Sequence, residues 1–549
     1  MDFSYTLKYE AGGKFFSLEN TAQNDDFSLA FTDLPHRHTV RIRANRDLFL
    51  RDFRESSLSF FPARGKKPAK DDLYFLNGYQ SWTDTRETYP REREKDLSRL
   101  PRFLIDAFAF DRYGDALFYD YKKEELHGYD LFYAKGSREC FVASLNEKSA
   151  YLIARINRKT GELTLAADVD GREMKAGEEF TLCDYLYYEN YESGVPALRR
   201  HYGERKTGKI FGYTSWYNYY QNINEEILLR DLDALDDRFQ LFQIDDGFET
   251  FVGDWMDVDA KKFPRGLSPI VERAHQKGFL AGIWLAPFVA EEKSRLFREK
   301  SHLFKRDDSG SFVKCGSNWS SFYALDLENE KARDYISSCL KAYAEMGFDF
   351  FKLDFLYGAN LPRYEGKTRC EAATRAYAFF RESLGDKSIL GCGATPGNAR
   401  GVFDYLRVGP DVSLKFDDLW YMRFMHRERI STKVTLQNTV YRSFLNGIYF
   451  GNDPDVFLLR DGNISLSEAQ REALITVNAL FGSVLMTSDN VASYDGKKRE
   501  TLARALDLFE NARVLSFERK GKAIRIVYSL RGETREILYL TEKGVLTHG

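Results

Sequence analysis

The 549-residue sequence is poor in the features that would place it outside a cell or in a membrane. Its six cysteines are scattered, with no C-x-x-C or paired spacing, and without an export signal they read as reduced thiols rather than a disulfide framework. The opening stretch MDFSYTLKYEAGGKFF has neither a basic n-region nor an apolar h-region, so no signal peptide is read and the expected location is cytoplasmic. The sequons at Asn318 and Asn463 are then read as chance matches. No run of about 18 apolar residues occurs, which argues against a helical membrane span. The eight histidines form no HxH or HExxH pattern, so a zinc hydrolase is not expected. No G-x-G-x-x-G or Walker loop follows an apolar run. A formal charge of −3 gives no electrostatic footprint for nucleic acid or an anionic membrane.

What the chain has in quantity is apolar and aromatic surface: 43% apolar residues, with 33 Tyr and 44 Phe. Most must be core. Some could stack on the C–H faces of sugars. Three regions follow from the patterning. Residues 1–200 alternate with period two between turn signals, as in Thr39–Arg43, Ala116–Tyr121, Phe141–Leu145 and Leu163–Val169, and read as a β-sandwich joined on by a helix near Val195–Tyr202. Residues 201–490 alternate short apolar strands with amphipathic helices. The strands are Phe211–Trp216, Leu241–Asp245, Leu280–Leu285, Phe350–Asp354, Ser388–Cys392, Leu406–Asp411, Gly447–Phe450 and Ser483–Thr487. Eight such repeats predict a (β/α)8 TIM barrel, with a doubly wound open sheet as the alternative. Residues 491–549, with Ala523–Ser529 and Glu536–Leu540, read as a small C-terminal antiparallel β-domain.

In such a barrel the chemistry comes from the C-terminal strand ends. Strand 2 ends in Asp245 and Asp246, strand 3 presents Trp284, strand 4 carries Lys352 and Asp354, strand 5 ends at Cys392, and strand 6 carries Arg407 and Asp411. Strand 7 runs into Asn452-Asp453-Pro454-Asp455. Lys352 and Asp354 are two apart and so face the same way, which predicts an ammonium beside the Asp354 carboxylate. A buried structural ion pair is the plainer reading. Asp245-Asp246 could equally cap a helix or form a turn. Asp411, after Gly409-Pro410, could be a turn residue. Taken together, many carboxylates without a histidine cluster fit glycoside hydrolysis, which needs one carboxylate to attack and one to protonate.

The ordered segments Asn77–Trp82 (NGYQSW), Gly212–Tyr217 (GYTSWY), Gln243–Glu249 (QIDDGFE), Gly253–Trp255, Gly282–Phe288 (GIWLAPF), Tyr323–Leu327, Phe351–Leu356 (FKLDFL), Leu390–Gly393 (LGCG), Arg407–Asp411 (RVGPD) and Asn452–Arg460 (NDPDVFLLR) resemble glycoside hydrolase family 36 α-galactosidases, most closely the compact bacterial and thermophilic members. The resemblance spans nearly the whole chain and implies a retaining α-galactosidase acting on α-galactoside oligosaccharides. It implies that Asp354 is the nucleophile and Asp411 the acid/base with a raised pKa. Asp245 and Asp246 would bind O4 and O6, Lys352 and Arg407 the ring hydroxyls, and Cys392 would lie by O2. Trp284 and Tyr217 would line the pocket, and Trp82 would close it from the sandwich. No metal or other cofactor is implied, and the oligomeric state is left open. Two loops depart from the family pattern: Ala394–Arg400 is not rich in Pro and Leu, and after Asp411 no Trp follows until Trp420. An α-N-acetylgalactosaminidase or a transgalactosylase on the same scaffold therefore stays open. So do a metal-dependent lyase of the enolase type and a non-catalytic sugar-binding protein.

Overall fold

The computed structural model describes residues 3–57, 67–419 and 422–548; Trp420 lies outside them. Two seven-stranded antiparallel sheets occupy the first part of the chain. One runs Lys14–Glu19, Phe3–Ala11, Leu48–Ser57, Leu163–Asp168, Tyr151–Asn157, Glu125–Tyr129, with Glu173–Met174 attached to Leu48–Ser57. The other runs Phe27–Leu34, Arg37–Ala44, Glu179–Tyr188, Cys140–Ser144, Leu131–Lys135, Leu73–Leu76, Glu87–Thr88. Leu7, Leu50 and Phe53 of the first sheet share one core with Val40, Ile42, Val142 and Leu182 of the second. Period-two alternation produces this directly, because successive side chains point to opposite faces. The expected strand Ala116–Tyr121 does not form. That segment turns back on itself, with the N–H groups of Phe118 and Tyr119 donating to the Asp115 carbonyl. Its aromatics instead pack around His127, with Tyr119 stacked on the imidazole.

The middle of the chain forms a curled parallel sheet of nine strands. Numbered in chain order they are β1 (Ile210–Thr214), β2 (Leu241–Ile244), β3 (Leu280–Leu285), β4 (Phe350–Leu353), β5 (Ser388–Gly391), β6 (Tyr405–Arg407), β7 (Gly451–Asp453), β8 (Val456–Phe457) and β9 (Val484–Thr487). The hydrogen-bonded order is β7-β6-β5-β4-β3-β2-β1-β9-β8. The two end strands, β7 and β8, are consecutive in the chain and separated only by Pro454-Asp455. The Ser483 N–H donates to the Asn452 carbonyl across that junction. Proline has no N–H to give a ladder, so one strand becomes two at Pro454.

The seventh strand is therefore not Gly447–Phe450. That apolar run is a turn, with Gly447 at φ +72° and its N–H bonded to the Phe450 carbonyl. The strand uses the next residues, Gly-Asn-Asp, and Gly451 is needed because a Cβ there would sit 2.7 Å from the Tyr405 ring. Helices follow the strands, among them Glu225–Ala234, Ser268–Gln276, Glu330–Met346, Arg369–Leu384 and Glu468–Phe481. Arg369–Leu384 starts on a Thr368/Glu371 capping box. Residues 491–549 hold more than strands: the 16-residue helix Gly496–Asn511 precedes the four-stranded antiparallel sheet Ala512–His548. Core residues of all three regions, such as Phe141, Phe351 and Ile526, belong to one continuous cluster. Among the described residues no helix is long and apolar enough to cross a membrane.

Candidate active site

The acidic residues stand just past the strands rather than inside them. β2 ends at Ile244, β4 at Leu353, β5 at Gly391 and β6 at Arg407. Asp245, Asp354 and Cys392 are each the first residue beyond, and Asp411 is the fourth. At Asp354 the chain turns at once: Phe355 adopts φ +52°, and its N–H donates to Asp354 Oδ1 at 2.8 Å. A left-handed non-glycine residue costs about 1 kcal/mol and is held there by its surroundings. Asp354 Oδ2 accepts from Trp284 Nε1 of β3 at 2.9 Å.

Lys352 does not pair with Asp354 as its spacing predicts. Its ammonium donates to Asp245 Oδ2 at 2.9 Å, an oxygen that also accepts from Thr214 Oγ1 at 3.0 Å and Gln243 Nε2 at 2.9 Å. Burial pulls the Lys352 pKa down, but Asp245, and less strongly Asp354, hold it above the ordinary lysine value. Both side chains are buried, and the nearer carboxylate follows strand β2, 107 residues away. Asp245 is thus a buried anchor for Lys352.

Asp246 faces a different set. It accepts from Gln221 Nε2 at 3.1 Å and from Trp319 Nε1 at 3.0 Å. It also shares a hydrogen bond with Glu249. Burial raises both carboxyl groups, and Asp246 pushes Glu249 well above the usual carboxylate range. Glu249 therefore carries the proton of the pair. Trp319 stands against Trp284 and Phe355, with ring centroids at 6.2 and 5.1 Å.

Arg407 is the other buried cation. Its Nη1 donates to Asp411 Oδ1 at 3.0 Å, its Nε to Asp453 Oδ2 at 3.1 Å, and its Nη2 lies 2.8 Å from Asp455 Oδ1. Asp455 also accepts from the Tyr217 hydroxyl and from the Val412 N–H at 2.7 Å. Burial lifts Asp455 to about 7 against the pull of Arg407, with Asp411 and Asp453 adding to the rise. Asp411 keeps 31% side-chain exposure. Its surroundings nevertheless raise its pKa: desolvation outweighs Arg407 and Lys352, and the charges of Asp354 and Asp245 reinforce it. Asp354 is thus near enough to Asp411 for its charge to act there.

Cys392 is fully buried, its thiol pushed up by burial, and it lies 3.2 Å from Trp82 Nε1. Trp82 belongs to the first part of the chain, yet it packs edge-on to Phe355 and Tyr357 at 5.3 and 5.5 Å. Gly393, at φ +67°, makes room for it, since a Cβ there would meet the indole at 3.1 Å. All ten residues singled out in the sequence thus fall in one region at the C-terminal strand ends. Glu249 and Trp319 were not singled out, and Asp453 and Asp455 were named only as polar groups at the end of strand 7. Glu249, Asp453 and Asp455 sit inside quoted motifs, and only their contacts reveal a role. Trp319 lies in none.

Known proteins resemble this chain in sequence and fold. The family model described as Melibiase matches residues 199–381. The chain is 27% identical over 191 residues to α-galactosidase Mel36A of Lactobacillus acidophilus, covering 32% of this chain and 24% of that one. It is 27% identical over 173 residues to an α-galactosidase of Escherichia coli, covering 30% and 24%. These alignments span about a quarter of the curated relatives' length. In structure, TtGalA, an α-galactosidase from Thermus thermophilus solved with p-nitrophenyl α-D-galactopyranoside, matches with a TM-score of 0.70 at 25% identity, over 92% of this chain and 98% of that one. The same protein solved with stachyose matches at 26% identity and a TM-score of 0.70, over 91% and 99%.

Proposed function

We propose that the chain, which resembles the glycoside hydrolase family 36 α-galactosidases, is one of them and a retaining enzyme releasing terminal α-linked galactose from oligosaccharides. The fold is read as a β-sandwich (residues 1–200), a (β/α)8 barrel (201–490) whose seventh strand is split at Pro454, and a C-terminal β-domain (491–549). Asp354, held by Trp284 and the Phe355 N–H, attacks the anomeric carbon. Asp411 protonates the departing oxygen. A β-galactosyl-enzyme forms, Asp411 then takes a proton from water, and α-galactose leaves. This course requires the two carboxyl groups to stand about 5–5.5 Å apart.

The raised pKa of Asp411 beside the Asp354 charge carries the reading, since an acid catalyst must hold its proton near neutral pH. Asp246, with Trp319 behind it, is assigned to O4 and O6. Asp245 joins them through Lys352, which reaches the ring hydroxyls together with Arg407. Cys392 is assigned to the O2 side, Tyr217 and Trp284 to the walls, and Trp82 to the entrance. The stachyose-bound relative favours a raffinose-type galactoside as substrate. No step needs a metal or an organic cofactor.

Asp354→Gly assayed with azide tests the whole scheme. The expected result is loss of hydrolysis and formation of β-galactosyl azide. An α-azide from Asp354→Gly, or no rescue while Asp411→Asn yields the β-azide instead, would reassign the nucleophile. Running the nitrophenyl N-acetylgalactosaminide in parallel decides the sugar at O2.

A further inference from the structure

Far from the strand ends, the two antiparallel sheets bring three different donor types together. His38 lies on Arg37–Ala44, Cys183 on Glu179–Tyr188 of the same sheet, and Glu55 on Leu48–Ser57 of the opposite sheet. Their exposures are 0%, 2% and 2%. The register explains the meeting. Tyr185 pairs with His38, and Cys183, two residues earlier, points to the same face. A carboxylate at 2% exposure between apolar sheets is costly unless paired or bound to a cation. Its partners here are the His38 imidazole, whose Nε2 lies 3.3 Å from Glu55 Oε2, beyond the usual ~2.8 Å of a charge-assisted bond, and Tyr185. Cys183 Sγ lies 3.7 Å from Glu55 Oε1.

We propose that His38, Glu55 and Cys183 bind one zinc-like divalent cation that staples the two sheets. One nitrogen, one oxygen and one sulfur all lie within 4.8 Å of one another. A tetrahedron with bonds of about 2.0–2.3 Å has N–O and O–S edges of about 3.3 and 3.5 Å; the 3.3 Å contact of His38 is to Glu55 Oε2 and the 3.7 Å contact of Cys183 is to Oε1, so one oxygen meets both edges only after the carboxylate rotates. The mixed imidazole, carboxylate and thiolate set suits zinc and excludes calcium or magnesium, which take oxygen alone. The second ring nitrogen supports the same reading. His38 Nδ1 lies 2.5 Å from Asp33 Oδ1, the carboxylate–histidine contact that fixes a metal-binding tautomer and presents Nε2 to the ion. Tyr185 is hydrogen-bonded to Glu55. Binding transfers the Cys183 thiol proton, and any proton on His38 Nε2, to solvent.

Growth of the full chain in zinc-free, cobalt-supplemented medium tests this, because the site is closed to late entry. The expected product holds one cobalt per chain, with a near-ultraviolet sulfur-to-cobalt charge-transfer band. Cys183→Ser abolishes the band, and the near-isosteric Glu55→Gln lowers cobalt content at least several-fold. Wild-type protein without cobalt, or a band that persists in Cys183→Ser, overturns the assignment. The wild-type measurement decides even if a variant fails to fold.

Discussion

Arg407 shows how one buried side chain sets several functions at once. Three carboxylates surround it, and each answers differently: Asp411 faces the opening, while Asp455, lifted to about 7, anchors the Val412 N–H and the Tyr217 hydroxyl. The arrangement fixes the backbone beside Asp411 without neutralising that residue's raised pKa. Asp411→Asn keeps the volume and removes the proton. Turnover of an unactivated galactoside should fall about 10²–10⁴-fold, and that of a nitrophenyl galactoside, whose leaving group needs little protonation, should fall much less. Equal losses on the two substrates would show that Asp411 is not the acid. Because the Asp411 pKa is raised, kcat/KM of the wild type declines on the alkaline side as the acid ionises, and the variant lacks that limb. Glu249 offers a second residue-scale test. It donates its proton to Asp246, so Glu249→Gln, which keeps a donor, should leave KM within a few-fold. Glu249→Ala should raise KM about 5- to 100-fold, the scale of a lost charged hydrogen bond of about 1–3 kcal/mol.

At the scale of elements, the segment Asn77–Trp82 reaches the strand ends because Arg442 binds it there. Arg442 follows the helix Thr432–Tyr441 and is fully buried. Its Nε donates to Asn77 Oδ1 at 2.9 Å, its Nη1 to the carbonyls of Ser81 and Val408 at 2.6 and 2.8 Å, and its Nη2 to those of Gly78 and Gln80 at 3.2 and 3.1 Å. None of these acceptors is a carboxylate, and burial lowers the guanidinium to about 9. Lysine has three donors and no planar fork, so Arg442→Lys leaves carbonyls unpaired. We expect a loss of about 2–4 kcal/mol, a lower Tm, and a higher KM as Trp82 loosens. An unchanged KM alongside a lowered Tm would confine Arg442 to stability.

This contact also marks what the sequence could convey. Short runs such as Phe350–Leu353 are apolar because both faces of a parallel strand are buried, so most of the parallel sheet was legible. β7 was not: its residues are Gly-Asn-Asp, and the apolar run before it belongs to a turn. Asp354 and Asp411 were legible as polar groups after apolar strands. Arg442 was not, because four of its five acceptors lie more than 360 residues away. The pairing of Lys352 failed for the same reason: spacing reports neighbours along a strand, while its nearest carboxylate comes across the sheet.

For the whole molecule, the raised buried acids set a direction of pH response, opposed only in part by the buried His426, which burial lowers to about 4. Asp455 and Glu428, each raised to about 7 chiefly by burial, hold their protons in the folded chain after the unfolded chain has released them. The folded state therefore binds more protons across roughly pH 4 to 7, and stability falls as pH rises through that interval. His127 acts in the same sense. Burial lowers it, but Glu94 and Asp115, each 2.6 Å from a ring nitrogen, raise it above the ordinary histidine value despite the nearby Arg427. Its contribution is present in full below about pH 6.5 and is lost as pH rises through the folded value. Carboxylates with lowered values, such as Asp84 beside Lys95, stabilise above the unfolded pKa and lose that effect only as pH falls below about 4. They leave the interval from 5.5 to 8 untouched. The Tm should accordingly be higher at pH 5.5 than at pH 8, by an amount reflecting a few kcal/mol. Asp455→Asn, which cannot ionise, should flatten part of the slope. A Tm that rises from pH 5.5 to pH 8, or a slope unaltered by Asp455→Asn, would contradict the assignment of these buried acids. The linkage also ties stability to activity. The low-dielectric surroundings that raise the Asp411 pKa also make Asp455 and Glu428 costly to ionise, so under the proposed role of Asp411 as the acid, activity and stability respond to rising pH in the same sense.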